Sequence, residues 1–117
     1  MTIREIAGFL DAKILHDEFE DSDISSGYTS DLLSDVMANG REGGALITIQ
    51  AHKNTVAVAT LVNVTVIIIC NSRPIPEDML AAAKDEGIAV LLTKENQFTV
   101  SGKLYKLLEP AAEASNR

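Results

Sequence analysis

The stretch 45–50 (ALITIQ), together with its companions 65–70 (TVIIIC) and 88–93 (IAVLLT), decides the fold. Each is an uninterrupted apolar run about one strand long. Each pair is separated by a segment that reads as a helix. Apolar strands alternating with helices predict a parallel sheet covered on both faces, because a strand with one wet face would alternate apolar and polar residues. The expected architecture is therefore a three-layer α/β/α domain with a mainly parallel central sheet. In such sheets ligands bind where strands end and helices begin. Here those turns read His52-Lys53-Asn54, Asn71-Ser72-Arg73 and Thr93-Lys94-Glu95. The first two supply the candidate ligand-binding residues: His52, Lys53, Asn54, Asn71, Ser72 and Arg73. Free backbone N–H groups at the starts of the following helices would favour an anion there. Ordinary loop solvation accounts for the same polarity.

Outward from these runs, Thr2 and Glu5 form a capping box for a first helix. Ile3, Ile6, Ala7 and Leu10 then fall on its inner face. Residues 12–16 fit a short strand, and the acidic run 17–23 (DEFEDSD) fits a solvated loop without the alternating ligands of a calcium loop. Residues 24–29 are extended at best. Ser30 and Asp31 are expected to cap a helix from Leu32 to Asn39 with Leu33, Val36 and Met37 inside, and Asn39-Gly40 to supply its left-handed stop. Asn54 should start a buried helix over 55–62. Pro76, Glu77 and Asp78 make a favourable first helical turn, with Met79, Leu80 and Ala83 inward and Gly87 closing the helix. Thr93 is expected to cap a last helix to about Leu108, held by Phe98, Leu104, Leu107 and Leu108. Residues 1–109 thus read as one domain and 110–117 as a flexible tail.

Composition narrows the setting. At 117 residues the chain can bury roughly two-thirds of the surface it exposes unfolded. With no Trp and few aromatics, its core must be Leu, Ile, Val and Ala. One cysteine, Cys70, forms no internal disulfide and fits a cytoplasmic location. No apolar stretch approaches the ~20 residues of a membrane span, and the first residues lack the pattern of a signal peptide. A net charge of −7 argues against nucleic acid as a partner.

The sequence contains no phosphate-binding loop of the GxxxxGK[ST] type and no G-x-S-x-G elbow. Residues 40–44 (GREGG) follow a helix and precede a strand, the reverse of a dinucleotide fingerprint. His16, His52 and Cys70 have no metal-ligand spacing, so neither a metal nor any cofactor is expected. Cys70 ends an Ile-rich strand and reads as a small buried hydrophobe. One further constellation stands out, SDLLSDV at 30–36. Ser30 with Ser34, and Asp31 with Asp35, lie one helical turn apart. They read either as a doubled capping signal or as a polar rim for a ligand or partner subunit.

The segment 30–36, the strand–turn–helix 47–59 (ITIQAHKNTVAVA) and the closing 98–105 (FTVSGKLY) resemble, in order and spacing, free-standing members of the DRTGG domain family. The likeness covers residues 3–108. It implies an α/β/α regulatory domain that often pairs as a dimer, related to the amino-terminal domain of HPr kinase. Such domains stand before phosphotransacetylase domains and beside CBS domains in pyrophosphatases that respond to adenine nucleotides. Free-standing members are often encoded near genes of hydrogenase-type redox complexes, so the resemblance implies an accessory or regulatory role there. Where the family often carries Pro-Gly-Asp-Arg, this chain has Gln50-Ala51-His52-Lys53. Where the family carries Thr-Gly-Gly, it has Cys70-Asn71-Ser72, which restores side chains where glycine lets a ligand approach.

The resulting expectation is a non-catalytic cytoplasmic regulatory module. It would bind a small anionic ligand, such as an adenine nucleotide, or a protein partner in a redox complex, and would form a homodimer through residues 30–36 and 55–62. The alternatives are a small enzyme handling a phosphorylated metabolite through His52, Lys53 and Arg73, and a purely structural subunit.

Overall fold

A computed structural model of the chain describes residues 1–115, with side chains to residue 108. The three apolar runs form β3 (Ala45–Thr48), β4 (Val66–Ile69) and β5 (Ala89–Leu92), parallel and adjacent as expected. The sheet has five strands in the order β1-β5-β4-β3-β2. At one edge β1 (Lys13–Ile14) runs antiparallel to β5, inside the expected 12–16 strand. At the other edge β2 (Gly27–Thr29) pairs in parallel with β3. Residues 24–29 thus hold a fourth parallel strand. Its GYT sequence carries too little apolar pattern to be read without its partner.

Neighbouring strands are in register, so their side chains sort into two layers. Leu46, Ile67 and Val90 align on one face, and Ile47, Ile68 and Leu91 on the other. The first set is covered by α2 (Leu33–Asn39), α3 (Lys53–Leu61) and α4 (Glu77–Glu86), through Val36, Val56, Ala59, Met79 and Ala83. The second is covered by α1 (Ile3–Leu10) and α5 (Gln97–Ser115), through Ile3, Ile6, Leu10, Val100 and Leu104. Two apolar layers around one sheet are what uninterrupted apolar strands require.

The helix boundaries follow from their caps. Thr2 and Glu5 close the capping box on α1, with Glu5 N–H to Thr2 Oγ1 at 3.2 Å and Thr2 N–H to Glu5 Oε1 at 2.9 Å. At α3 the cap is His52 in place of the expected Asn54: its Nδ1 accepts the Asn54 N–H at 3.0 Å. Ser30 and Asp31 do not cap α2, whose cap residue Leu32 offers no side-chain bond. Its terminal Gly40 is extended (φ −57°, ψ 149°), not left-handed. Glycine is needed there for space, since a Cβ would lie 2.7 Å from the Val36 carbonyl and 2.9 Å from a Val62 methyl. In α4, Pro76 caps, Met79 and Ala83 are buried, Leu80 is half-buried, and Gly87 is left-handed.

Two inner-face expectations fail for reasons of phase. Met37 is 52% exposed, because the short α2 turns only Val36 fully inward and Leu33 partly. Asn96, not Thr93, starts α5: its Oδ1 takes the Thr99 N–H at 2.9 Å, while the Thr93 hydroxyl takes the Glu95 N–H. The later start puts Val100 and Leu104 one turn apart on the inner stripe and leaves Phe98 89% exposed. Leu107 and Leu108 are half-buried. The α5 backbone continues past Leu108 to Ser115, in keeping with the helix-forming residues Ala111, Ala112, Glu113 and Ala114. Residues 116 and 117 of the expected tail lie outside the described residues.

Among the described residues no helix is long and apolar enough to cross a membrane.

Candidate functional site

The parallel strands β2 to β5 all end on one edge of the sheet, and four loops leave it. Two of them, the loops after β4 and β5, are zipped together. The Asn71 N–H donates to the Glu95 carbonyl at 3.0 Å and the Ser72 N–H to the Thr93 carbonyl at 2.9 Å. This arrangement needs left-handed backbone at both residues (Asn71 φ 61°, Ser72 φ 50°). The zipper lets the segment after β5 cross from the α4 side to the opposite face, where α5 packs on β2 and β3.

Asp31 joins the far side of the same edge. Its Oδ1 accepts the Thr48 hydroxyl at 2.8 Å, the Ile49 N–H at 2.9 Å and the Gln97 side-chain amide at 2.9 Å. Its carbonyl accepts the Gln50 amide at 3.0 Å. One carboxylate thereby holds the end of β2, the end of β3 and the start of α5 together. Asp35 serves a different joint. Its carboxylate takes the Tyr28 hydroxyl at 2.8 and 2.9 Å and the Asn39 amide at 2.9 Å, fastening α2 to β2. The Ser30 hydroxyl accepts the Leu32 N–H at 3.2 Å, and Ser34 is exposed. The sequence pair Asp31 and Asp35 therefore fastens two separate joints.

These bonds alter where an anion could be held. Asn71 and Ser72 direct their N–H groups into the zipper. The start of α3 is capped by His52 and that of α5 by Asn96. The first turn of α4 carries Glu77 and Asp78, which take the positive end of that dipole. The groups that remain available at this edge are side chains. With Nδ1 of His52 accepting a backbone N–H, the neutral ring carries its proton on the exposed Nε2, which can donate outward. Lys53, at the first position of α3, and Arg73 and Lys94, on the loops after β4 and β5, are exposed cations, and none makes an ion pair among the described residues. Lys94 was absent from the candidates chosen from sequence. Its signal was its place in the third strand-end turn.

Cys70 lies beneath the edge, fully buried. Burial first, and the nearby Asp31 carboxylate second, push its thiol up to about 11. Such a thiol is protonated and unreactive at neutral pH. Among the described residues no group of three or more His, Cys, Asp or Glu is placed to hold a metal.

Three surface concavities lie away from the centre of this edge. One of about 110 Å³ separates β2 from α5 and is lined by Gly27, Thr29, Ser101 and Tyr105. A groove of about 540 Å³ runs between α3 and α4 and takes in Lys53 and Asn54 at one end. A third, of about 190 Å³, lies at the opposite end of the sheet, around Asn63, Thr65 and Gly87. The sequence-derived set is thus divided. Lys53 and Asn54 line the α3–α4 groove, whereas Asn71 and Ser72 belong to the zipper.

No family model matches the chain, and no curated protein matches it. Among solved structures it is similar to the CBS and DRTGG domains of the regulatory region of a Clostridium perfringens pyrophosphatase, determined in complex with its activator diadenosine tetraphosphate. The TM-score is 0.72 at 17% sequence identity, covering 92% of this chain and 47% of that one. The chain thus spans about half the length of that structure, and the likeness establishes a shared fold: an α/β domain of the kind found in a CBS and DRTGG regulatory region.

Proposed function

We propose that the chain is a non-catalytic regulatory domain of the DRTGG type, which takes an adenine nucleotide at the strand-end edge and acts as a homodimer. The observation that carries this reading is the set of exposed cations Lys53, Arg73 and Lys94, one beyond each of three successive strands: Lys53 at the first position of α3, Arg73 and Lys94 on loops. They lack ion-pair partners among the described residues of a chain whose net charge is −7. Such an edge favours a polyanion, since isolated cations on an acidic protein draw phosphate groups locally. The fold likeness to a regulatory region bound to an adenine nucleotide supports the choice of ligand class. The backbone also favours the family register. Both positions matched to the glycines of Thr-Gly-Gly, Asn71 and Ser72, are left-handed, the conformation glycine adopts without strain.

Thermal unfolding with ATP, ADP, AMP and diadenosine tetraphosphate tests the reading. At about one hundred times the Kd the bound nucleotide should stabilise the fold by about 2.7 kcal/mol. Arg73→Ala combined with Lys94→Ala should remove most of that gain without lowering the unliganded Tm, because both side chains are exposed. If none of the four nucleotides shifts the transition at millimolar concentration, the ligand assignment is wrong.

A further inference from the structure

The helix α3 has an unusual outer surface. Beyond its first turn it exposes Ala57 and Leu61, with Thr60 half-exposed and no charge among them; Leu61 is 68% exposed. An outward helix face is ordinarily charged or polar. This one forms a wall of the 540 Å³ groove shared with α4, whose own contribution begins with Ala82 and ends in Asp85 and Glu86.

The groove is also polarised. Both helices follow parallel strands and so run in the same direction. Lys53 opens α3, whereas Asp85 and Glu86 close α4. Among the side chains that line the apolar trough, positive charge therefore lies at one end and negative charge at the other. We propose that this groove is the seam of a two-fold homodimer. The inference rests on the homodimer reading above and assigns its surface. A half-turn about an axis through the middle of the groove sets Lys53 of each copy against Asp85 and Glu86 of the other. It also lays the two Ala57–Leu61 surfaces together. An isologous contact must be complementary to itself, and a surface with opposite charges at its two ends meets that condition. The small side chains Ala57 and Ala82 let a facing helix approach closely. A dimer of two acidic chains repels itself unless its seam brings opposite charges together, as this one does.

Sedimentation of the full chain without nucleotide, from about 1 to 100 µM, tests the seam in the range where a transient homodimer dissociates. The wild type should dimerise. Leu61→Asp, Lys53→Glu and the double variant Asp85→Lys with Glu86→Lys should each weaken the dimer at least about tenfold. All the substituted residues are exposed, so thermal unfolding should show each variant folded. The decisive sample is an equimolar mixture of Lys53→Glu with the Asp85→Lys/Glu86→Lys chain, in which one charge contact is the native pair and the other is restored in reverse. This mixture should form a heterodimer more tightly than either variant pairs with itself. A wild type that stays monomeric throughout overturns the seam. So does a dimer indifferent to all three changes, which would point instead to the open edge of β2, and so does a mixture that stays monomeric. A monomer that still binds nucleotide would leave the ligand reading standing, and a dimer that binds none would leave the seam standing.

Discussion

Asp31 Oδ1 collects three donors, two from the end of β3 and one from the start of α5, so its removal should be felt in stability before it is felt in any binding assay. Truncating it leaves the fully buried Thr48 hydroxyl and the Ile49 N–H without their acceptor. Each stranded donor costs roughly 1–3 kcal/mol, less where water enters. Asp31→Ala should therefore destabilise by about 2–3 kcal/mol, and Asp31→Asn, which keeps an acceptor oxygen, by less. Urea titration decides this, and an unchanged midpoint in Asp31→Ala would remove the carboxylate from its role as the joint. Tyr28 and Asp35 make a pH-dependent fastening. The Tyr28 hydroxyl, then Ser30 and Asn39, hold the Asp35 carboxyl below the usual carboxylate range, and the same bond raises Tyr28. A carboxyl depressed on folding contributes stability that is complete above its unfolded value and is lost as pH falls through its folded value. The raised phenol works in the other direction, contributing below its unfolded value and losing that contribution as pH climbs through its folded one. Stability should thus decline at both extremes. Tyr28→Phe should lower the neutral-pH plateau and flatten the decline below about pH 4, as urea midpoints across the acid range would show. Sequence spacing did single out Asp31 and Asp35 as a pair, but the partners of Asp31 lie 17, 18 and 66 residues away, and Tyr28, which ties Asp35 to β2, lies 7 residues back. Distances of that kind are not written in local spacing.

At the scale of the element, the loop after β4 carries strain that the sequence hides. A left-handed non-glycine residue costs roughly 1–2 kcal/mol, less for asparagine, and glycine gives back up to about 1 kcal/mol in chain entropy. Ser72→Gly should then stabilise the chain by about 0.5–1 kcal/mol, and Asn71→Gly should change it little. Ser72→Val should destabilise clearly, since a branched Cβ is poorly tolerated at φ 50°. Midpoints of chemical denaturation read all three, and a Ser72→Gly chain less stable than wild type would mean the loop is not strained. The strands β3, β4 and β5 were legible as elements because continuous apolar runs have one stable use. Their neighbour β2 was not, since three residues, one of them glycine, become a strand only by pairing with β3. The same holds for the caps. Thr2 and Glu5 satisfy each other locally and were readable, whereas the strand-end contacts drew Asp31 away from the role of helix cap.

For the whole molecule, the monotonic strand order from β5 to β2 leaves no reversal in the parallel part of the sheet. The ligand crevice of a doubly wound sheet usually opens at such a reversal. Here the break between layers is made by the segment after β5, which crosses the strand ends to bring α5 onto β2 and β3. That crossing takes up the backbone donors of Asn71 and Ser72 and leaves long side chains as the available polar groups at the rim. It also places the apolar α3–α4 face on the side of the sheet opposite α5. The proposed ligand edge and the proposed seam meet at Lys53, the residue common to both.

The sequence by itself determined the layer architecture, the three central strands and their parallel direction. Those features depend on hydrophobic period and on where helices can start and stop, and both are local. It also marked the strand-end turns as the polar edge, because polar residues directly after buried strands can only sit at a rim. Tertiary structure alone decided which of those residues remain available. A carboxylate, an amide or a backbone N–H is committed or free according to the partners that distant segments bring to it. Asp31, Asn71 and Ser72 meet theirs across the top of the sheet, while Arg73 and Lys94 are left facing water.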